Sequence, residues 1–384
     1  MAASSSSIPG KSAADATLHV LHVADCDFFD RFGHMFRRLG LGLYGEGVRV
    51  SLLTDDGQAL RDLEGTPLDV RGVPGLSGWR AWRLGRYLTS QFSPPPTLVH
   101  LWGTTCLRAL ADWTQRAGTP LLIHLTSGND LHRLSRRGVR ANQHVAAGCR
   151  QFSAVLQARQ PLVSEFVHLV PPALLIPDQA DRTPTQEQTL GVVWTGRFDQ
   201  RGGLQVLIDA LAQLRRKDCD MQVALIGGGE SGRVVWQEIR RQGIADCISL
   251  IDEPEFWEAA VPGADVCVVP ACQDELALAP LAAMALGKIV IASRDQIAEW
   301  FIEDRTAWQF TPGSAVELAY HLSRAAQRHP NASALARSAA AYAREHHSIT
   351  RLIAQLAELY NRITHIRGGV AGGKNHEPSP RPVP

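Results

Sequence analysis

The chain has 384 residues, more than one domain commonly holds, so its length predicts two cores. A formal net charge of +1 with 45% hydrophobic residues is an ordinary globular balance and argues against a general nucleic-acid binder. Seven scattered cysteines, an odd count with no C-x-x-C pair, argue against a disulfide framework and a structural zinc site, and favour a reducing cytosolic setting.

Residues 1–17 are small and polar and read as a disordered tail without the apolar segment of a signal peptide. Short apolar runs at 18–23, 48–54, 98–101 and 121–125 then alternate with helical patterns such as 29–43 and 105–117. Such alternation predicts a parallel sheet wrapped by helices, an α/β fold. The segment 78–88, GWRAWRLGRYL, supports two readings. It lies on an anionic bilayer with its tryptophans at the interface, or it covers the sheet with Trp79, Trp82 and Arg83 on a core-facing stripe. Taken singly, His100 and His124 read as buried or solvated histidines. The run 167–172 and the polar stretch 177–188 form the break between halves, with the linker at 177–188.

The second half repeats the alternation. A run at 190–194 enters Thr195-Gly196-Arg197-Phe198 and then a helical pattern at 204–214, and a strand at 221–226 ends in Gly227-Gly228-Gly229-Glu230. A helix at 233–242 and a strand at 248–251 follow. The most informative stretch is 270–293, PACQDELALAPLAAMALGKIVIAS, where buried-type runs at 265–269 and 289–292 flank a helix of small residues. Ligands of parallel sheets sit at the carboxyl ends of strands, so Asp274 and Glu275 either cap the next helix or meet a ligand hydroxyl. Helical patterns at 315–328, 332–345 and 349–366 close the chain, the last with Leu352, Leu356, Leu359 and Tyr360 on one stripe. Residues 367–384 are rich in Gly and Pro and read as a disordered tail, and no run of about 18 apolar residues occurs.

These landmarks, in this order over about 190–310, resemble the family-4 (group 1) retaining glycosyltransferases. The family pattern E-G-x-x-x-x-x-x-E-A-M-A-x-G-x-P-V-V-A-S aligns without gaps from Asp274 to Ser293, matching at Ala283, Met284, Ala285, Gly287 and Ala292. The resemblance implies the GT-B fold, two Rossmann-like domains whose parallel sheets face each other across a cleft. It divides the chain into an acceptor domain at 18–176, a nucleotide-sugar domain at 189–346 and a helix at 347–366 that crosses back. It also implies retaining sugar transfer from a nucleoside-diphosphate sugar to a hydroxyl of a glycan or lipid-linked acceptor. Neither a further cofactor nor a metal is expected, and the implied location is the cytoplasm, at the inner face of the membrane if the Trp82 segment is interfacial.

Residue by residue, the resemblance sets Asp274, with Glu275 beside it, against the donor sugar. Arg197 matches the arginine that neutralises the diphosphate, and Arg201 stands one place before the family's lysine position, which falls on Gly202. Gly196, Gly227, Gly228, Glu230 and Leu278 complete the implied nucleotide site. Besides Gly202, two positions depart from the pattern: the carboxylate that holds the donor ribose falls on Ala282, and a histidine that contacts the donor sugar falls on Thr126. These losses leave open a non-catalytic GT-B binding or scaffold protein. A dinucleotide enzyme is disfavoured, because no G-x-G-x-x-G follows the first strand.

Overall fold

Every strand pairing in the structure is parallel, so each strand is joined to the next by a crossover, and helices cover both faces of each sheet. The computed structural model describes residues 18–78, 81–176, 189–198, 203–229, 231–252, 256–271 and 276–371. The tails at 1–17 and 372–384 and the linker at 177–188 lie outside these residues.

The first sheet holds β1 (Leu18–Val23), β2 (Val48–Thr54), β3 (Asp69–Gly72), β4 (Leu98–Trp102), β5 (Leu121–Leu125), β6 (Gln143–Ala147) and β7 (Val167–Leu169), in the order β3-β2-β1-β4-β5-β6-β7. The helices between them are α1 (Cys26–Gly45), α2 (Gly57–Asp62), α3 (Ala81–Gln91), α4 (Leu107–Ala117), α5 (Gly128–Arg137) and α6 (Arg150–Arg159). The second sheet holds β8 (Leu190–Thr195), β9 (Met221–Ile226), β10 (Ile248–Ile251), β11 (Val266–Val269), β12 (Ile289–Ser293) and β13 (Trp308–Phe310), in the order β10-β9-β8-β11-β12-β13. Its helices are α7 (Leu204–Arg215), α8 (Gly232–Arg241), α9 (Trp257–Gly263), α10 (Leu278–Ala285) and α11 (Ala315–Ala326), followed by α12 (Pro330–His346) and α13 (Ile349–Ala371).

Local chemistry sets several boundaries. The Asp25 carboxylate accepts the Phe28 N–H and starts α1 at Cys26, three residues before its apolar period begins. Residues 167–169 are not part of the break between halves: they pair with β6 as the last strand of the first sheet. The final helix runs past 366 to Ala371, and its stripe of Leu352, Leu356, Leu359 and Tyr360 is buried against the first lobe. Gly42 makes the approach of α13 to α1 close, since a Cβ there falls 2.2 Å from Ile353 Cδ1.

The core-facing stripe of α3 is not the one expected. Leu84 and Leu88 are buried, whereas Trp82 is 59% exposed and Arg83 and Arg86 face solvent. A helix that also packs on α4, with Trp113 Nε1–H donating to Thr89 Oγ1 at 3.1 Å, has room for only one apolar stripe, and the smaller side chains occupy it. Arg86 lies 6.0 Å from the Trp82 ring, while Trp79 and Arg80 fall outside the described residues. Among the described residues no helix is long and apolar enough to cross a membrane.

Candidate functional site

Both sheets change winding direction once, between β1 and β4 and between β8 and β11. At such a switch point the flanking crossovers leave on opposite faces, and a crevice opens beyond the carboxyl ends of the two strands. In the second lobe this crevice is bordered by the turn after β8, which carries Gly196 and Arg197, and by Pro270 and Ala271 at the end of β11.

The turns after β8 and β9 are built against each other. Gly196 N–H donates to Ile226 O at 3.0 Å and Phe198 N–H to Gly228 O at 3.0 Å, while Gly227 N–H donates to Ile251 O at 2.9 Å. A Cβ on Gly227 falls 1.7 Å from Gly196 O, so only glycine permits this approach. Gly227 thus holds the Arg197 turn in place, and its own N–H is committed. The exposed Arg197 follows it, and α7 begins after Gly203, which has φ +66 and no side-chain cap. Gly203 sits tightly against the end of β11, where a Cβ falls 2.8 Å from the Pro270 carbonyl carbon. The amino end of α7 therefore directs its partial positive charge into the crevice that the Arg197 turn borders. Asp252, after β10, brings a carboxylate oxygen to 3.3 Å from a Cβ built on Gly228, a neighbour that sequence reading passed over.

The two lobes meet at this crevice. Leu276 N–H donates to Thr126 O at 3.2 Å, and the buried Leu276 side chain packs onto Gly148, where a Cβ falls 2.2 Å from Leu276 Cδ1. Glu299 accepts the Arg150 N–H at 3.2 Å with both oxygens and so caps α6 from the other lobe. Between the lobes, a gap of about 10 Å³ bordered by Phe28, Trp102, His124 and Leu276 has room for about one water. On the first lobe the buried Asp130 accepts hydroxyl protons from Thr104 at 2.8 Å, Thr126 at 3.1 Å and Ser127 at 2.9 Å, locking the turn after β5. Asp25, after β1, accepts from Thr105 and from Phe28 N–H, and burial pushes its carboxyl up from the ordinary range. Asp25 and Thr105 escaped sequence reading. The available signal for Asp25 was its position as the first polar residue after a buried strand.

With this geometry in view, residues 189–328 match the family described as glycosyl transferases group 1. The whole chain has the GT-B fold. It superposes on a glycosyltransferase from Rickettsia africae with a TM-score of 0.73 at 14% identity, covering 90% of this chain and 98% of that one. It superposes on HepE of Anabaena, solved in complex with UDP-glucose, with a TM-score of 0.75 at 18% identity, covering 90% and 100%. Sucrose-phosphate synthase of Thermosynechococcus elongatus gives 0.70 at 18% identity, covering 91% and 100%. No curated protein sequence matches.

Within the matched region 189–328, the structure brings Gly196, Arg197, Gly227 and Gly228 together at the crevice, with Leu278 opening α10 behind it. Asp274, Glu275, Arg201, Gly202 and Glu230 lie outside the described residues. Ala282 is 8% exposed on a helix whose eight residues are all buried, so the position of the missing ribose carboxylate is closed by packing.

In the first lobe, His100 and His124 belong to a buried chain. Tyr360 Oη is 2.6 Å from His100 Nδ1, His100 Nε2 is 3.2 Å from His124 Nδ1, and His124 bonds the Val170 backbone. An acceptor at Val170 fixes every proton: His124 donates to it, His100 donates to His124, and Tyr360 donates to His100. Beside them Trp102 Nε1–H donates to His22 Nδ1 at 3.0 Å, and the Trp102 ring stacks on both His100 and His124 at 4.3 Å. Burial lowers His22 and His124 to about 3 and His100 well below its ordinary value. These histidines knit the crossing helix into the first lobe.

Proposed function

We propose that this protein transfers a sugar from a nucleotide-sugar donor to a hydroxyl of a glycan or lipid-linked acceptor, with retention at the anomeric carbon. The observation that carries the reading is the group 1 glycosyltransferase match over 189–328, within which Arg197 stands at the β8–β11 switch point. HepE, of the same fold, was solved with UDP-glucose, which supports a uridine nucleotide as the first donor to test. In this reading the leaving diphosphate is stabilised by Arg197, by Arg201 and by the amino end of α7, with no metal needed. Asp274 and Glu275 position the donor sugar, and Leu276 fixes the carboxyl side of their segment onto the first lobe.

Arg197→Ala is expected to remove a charge-assisted contact of about 1.5–3 kcal/mol and weaken UDP binding by roughly ten- to a hundredfold. Calorimetry with UDP on the parent and the variant measures this, and equal affinities would remove Arg197 from the site.

One observation favours the non-catalytic reading: the closed packing around Ala282. An Ala282→Glu chain that gains donor binding supports a protein that lost its site. A variant that loses stability without gaining affinity supports an enzyme that holds the ribose by other groups, and Asp252 brings a carboxylate up to the glycine turn.

We also propose that α3 meets an anionic membrane surface through Trp82, Arg83 and Arg86. Charge reversal at Arg83 and Arg86 is expected to lower binding to phosphatidylserine vesicles by about 1 kcal/mol per removed charge. Co-sedimentation that is unchanged, or absent in the parent, would sink this contact.

A further inference from the structure

The second sheet carries a second cavity at its other edge. β13 runs from Trp308 toward the crevice and α11 returns from it, so Arg324, in the last turn of α11, lies at the amino end of the strands with Asp304. There, away from the lobe contact, a cavity of about 490 Å³ is lined by Asp304, Trp308, Arg324, Asn331, Leu335 and Ser338. This volume is within the range of small-molecule sites. Asn331, Leu335 and Ser338 stand at i, i+4 and i+7 of α12 and so share one face of that helix.

The charges in this cavity are arranged unusually. The Arg324 guanidinium lies over the buried Trp308 ring, its Cζ 4.3 Å from the ring centroid, a cation–π contact that holds it in place. Its Nε is buried without an acceptor, and the nearest side-chain acceptor, His321 Nδ1, is 3.5 Å from Nη1. Asp304 lines the same cavity and holds a left-handed backbone, φ +55, a conformation that costs energy in a residue other than glycine. Among the described residues neither Arg324 nor Asp304 forms an ion pair, although both border one space. A cation held rigid by stacking and an anion held apart from it present complementary ends to a ligand between them.

We propose that this cavity is a binding site for a small hydroxylated monocarboxylate, of the size of a sugar acid. The ligand carboxylate meets the planar fork of Arg324, the geometry in which arginine binds carboxylates best. Its hydroxyls donate to Asp304 and bond Asn331 and Ser338, and its apolar ring face covers Leu335. The single negative charge follows from the lining, where one arginine is balanced by one aspartate that would repel a dianion. The site is separate from the donor crevice and stands whether or not the transferase reading holds.

The test is calorimetry of the full chain with glucuronate as the probe. Saturable binding is expected, weakened at least about tenfold in Arg324→Gln and abolished in Ser338→Leu, which fills the cavity from α12, with UDP affinity unchanged in both. Glucose, which lacks the carboxylate, should bind at least about tenfold more weakly than glucuronate. The proposal is overturned if glucuronate does not saturate the parent, if glucose binds equally well, or if Arg324→Gln leaves the affinity intact. Circular dichroism shows whether Arg324→Gln is folded, and if it is not, Ser338→Leu at its half-buried helical position decides the question alone.

Discussion

Gly227→Ala is expected to collapse the crevice at the β8–β11 switch point and lower the melting temperature of the second lobe. The added methyl falls 1.7 Å from Gly196 O and 2.9 Å from the Gly196 carbonyl carbon, which are backbone atoms with no rotamer to change. To make room, the turn after β8 must move, and with it go the hydrogen bonds from Gly196 to Ile226 and from Phe198 to Gly228. Two lost backbone bonds and local strain amount to about 2–4 kcal/mol, or roughly 4–16 °C for a lobe of this size. Because Arg197 sits between the two displaced bonds, UDP binding should fall by more than in Arg197→Ala. Gly45→Ala is the control, since nothing lies within 4 Å of its Cβ position and its effect on both readings should be small. Calorimetric melting and UDP titration of both variants measure this. A Gly227→Ala chain that melts and binds like the parent would show that the two turns are not coupled.

What the sequence revealed and what it hid divide by the range of the interactions. Strands β1, β2, β5, β9 and β10 begin and end where apolar runs do: the first four lie inside their sheets, and the edge strand β10 is as apolar in sequence although it is only partly buried. The edge strand β3, DVRG, escaped because its Asp69 and Arg71 neutralise each other in a 2.8 Å ion pair, a polar pattern that reads as a loop. β6, QHVAA, escaped because its buried polar groups are satisfied locally, with Gln143 Oε1 accepting the Arg140 N–H and His144 meeting His168. At the site, the strand-turn-helix context of Arg197 was legible from one segment. The contact of Gly227 with Gly196, the pin of Leu276 on Thr126 and the cap of Glu299 on α6 join residues from about 30 to 150 positions apart, and no local pattern encodes them. Ala282 shows the same limit from the other side. Its loss of a carboxylate was plain in the sequence, but the packing that makes α10 buried on every face was not.

The largest expected effect of pH is a steep acid unfolding centred above pH 4. Burial lowers His22 and His124 to about 3, His347 to about 4 and His100 well below its ordinary value. The unfolded chain protonates these rings near pH 6.5, whereas the folded chain refuses the proton until far lower pH. Each ring therefore adds stability that is complete above pH 6.5 and drains away as pH falls toward its folded value. With four such groups the loss approaches about 5 kcal/mol per pH unit between roughly pH 5.5 and 4.5, since each differential proton is worth about 1.36 kcal/mol per unit. A native state worth about 5–15 kcal/mol exhausts that reserve within a few units. The chemistry of the buried chain gives the loss its cooperativity: His100 accepts from Tyr360 and donates to His124, so a second proton on His124 leaves two N–H donors facing each other in a buried site, and one on His100 takes the acceptor that Tyr360 uses. Tyr360 lies on α13, so protonation should release the crossing helix from the first lobe together with the core around Trp102. Potentiometric unfolding at pH 5 should record uptake of more than about four protons, because His19 and His144, also lowered to about 4, add to the four buried rings. Uptake near zero, or an acid midpoint below pH 3, would show that these histidines are not buried as neutral rings.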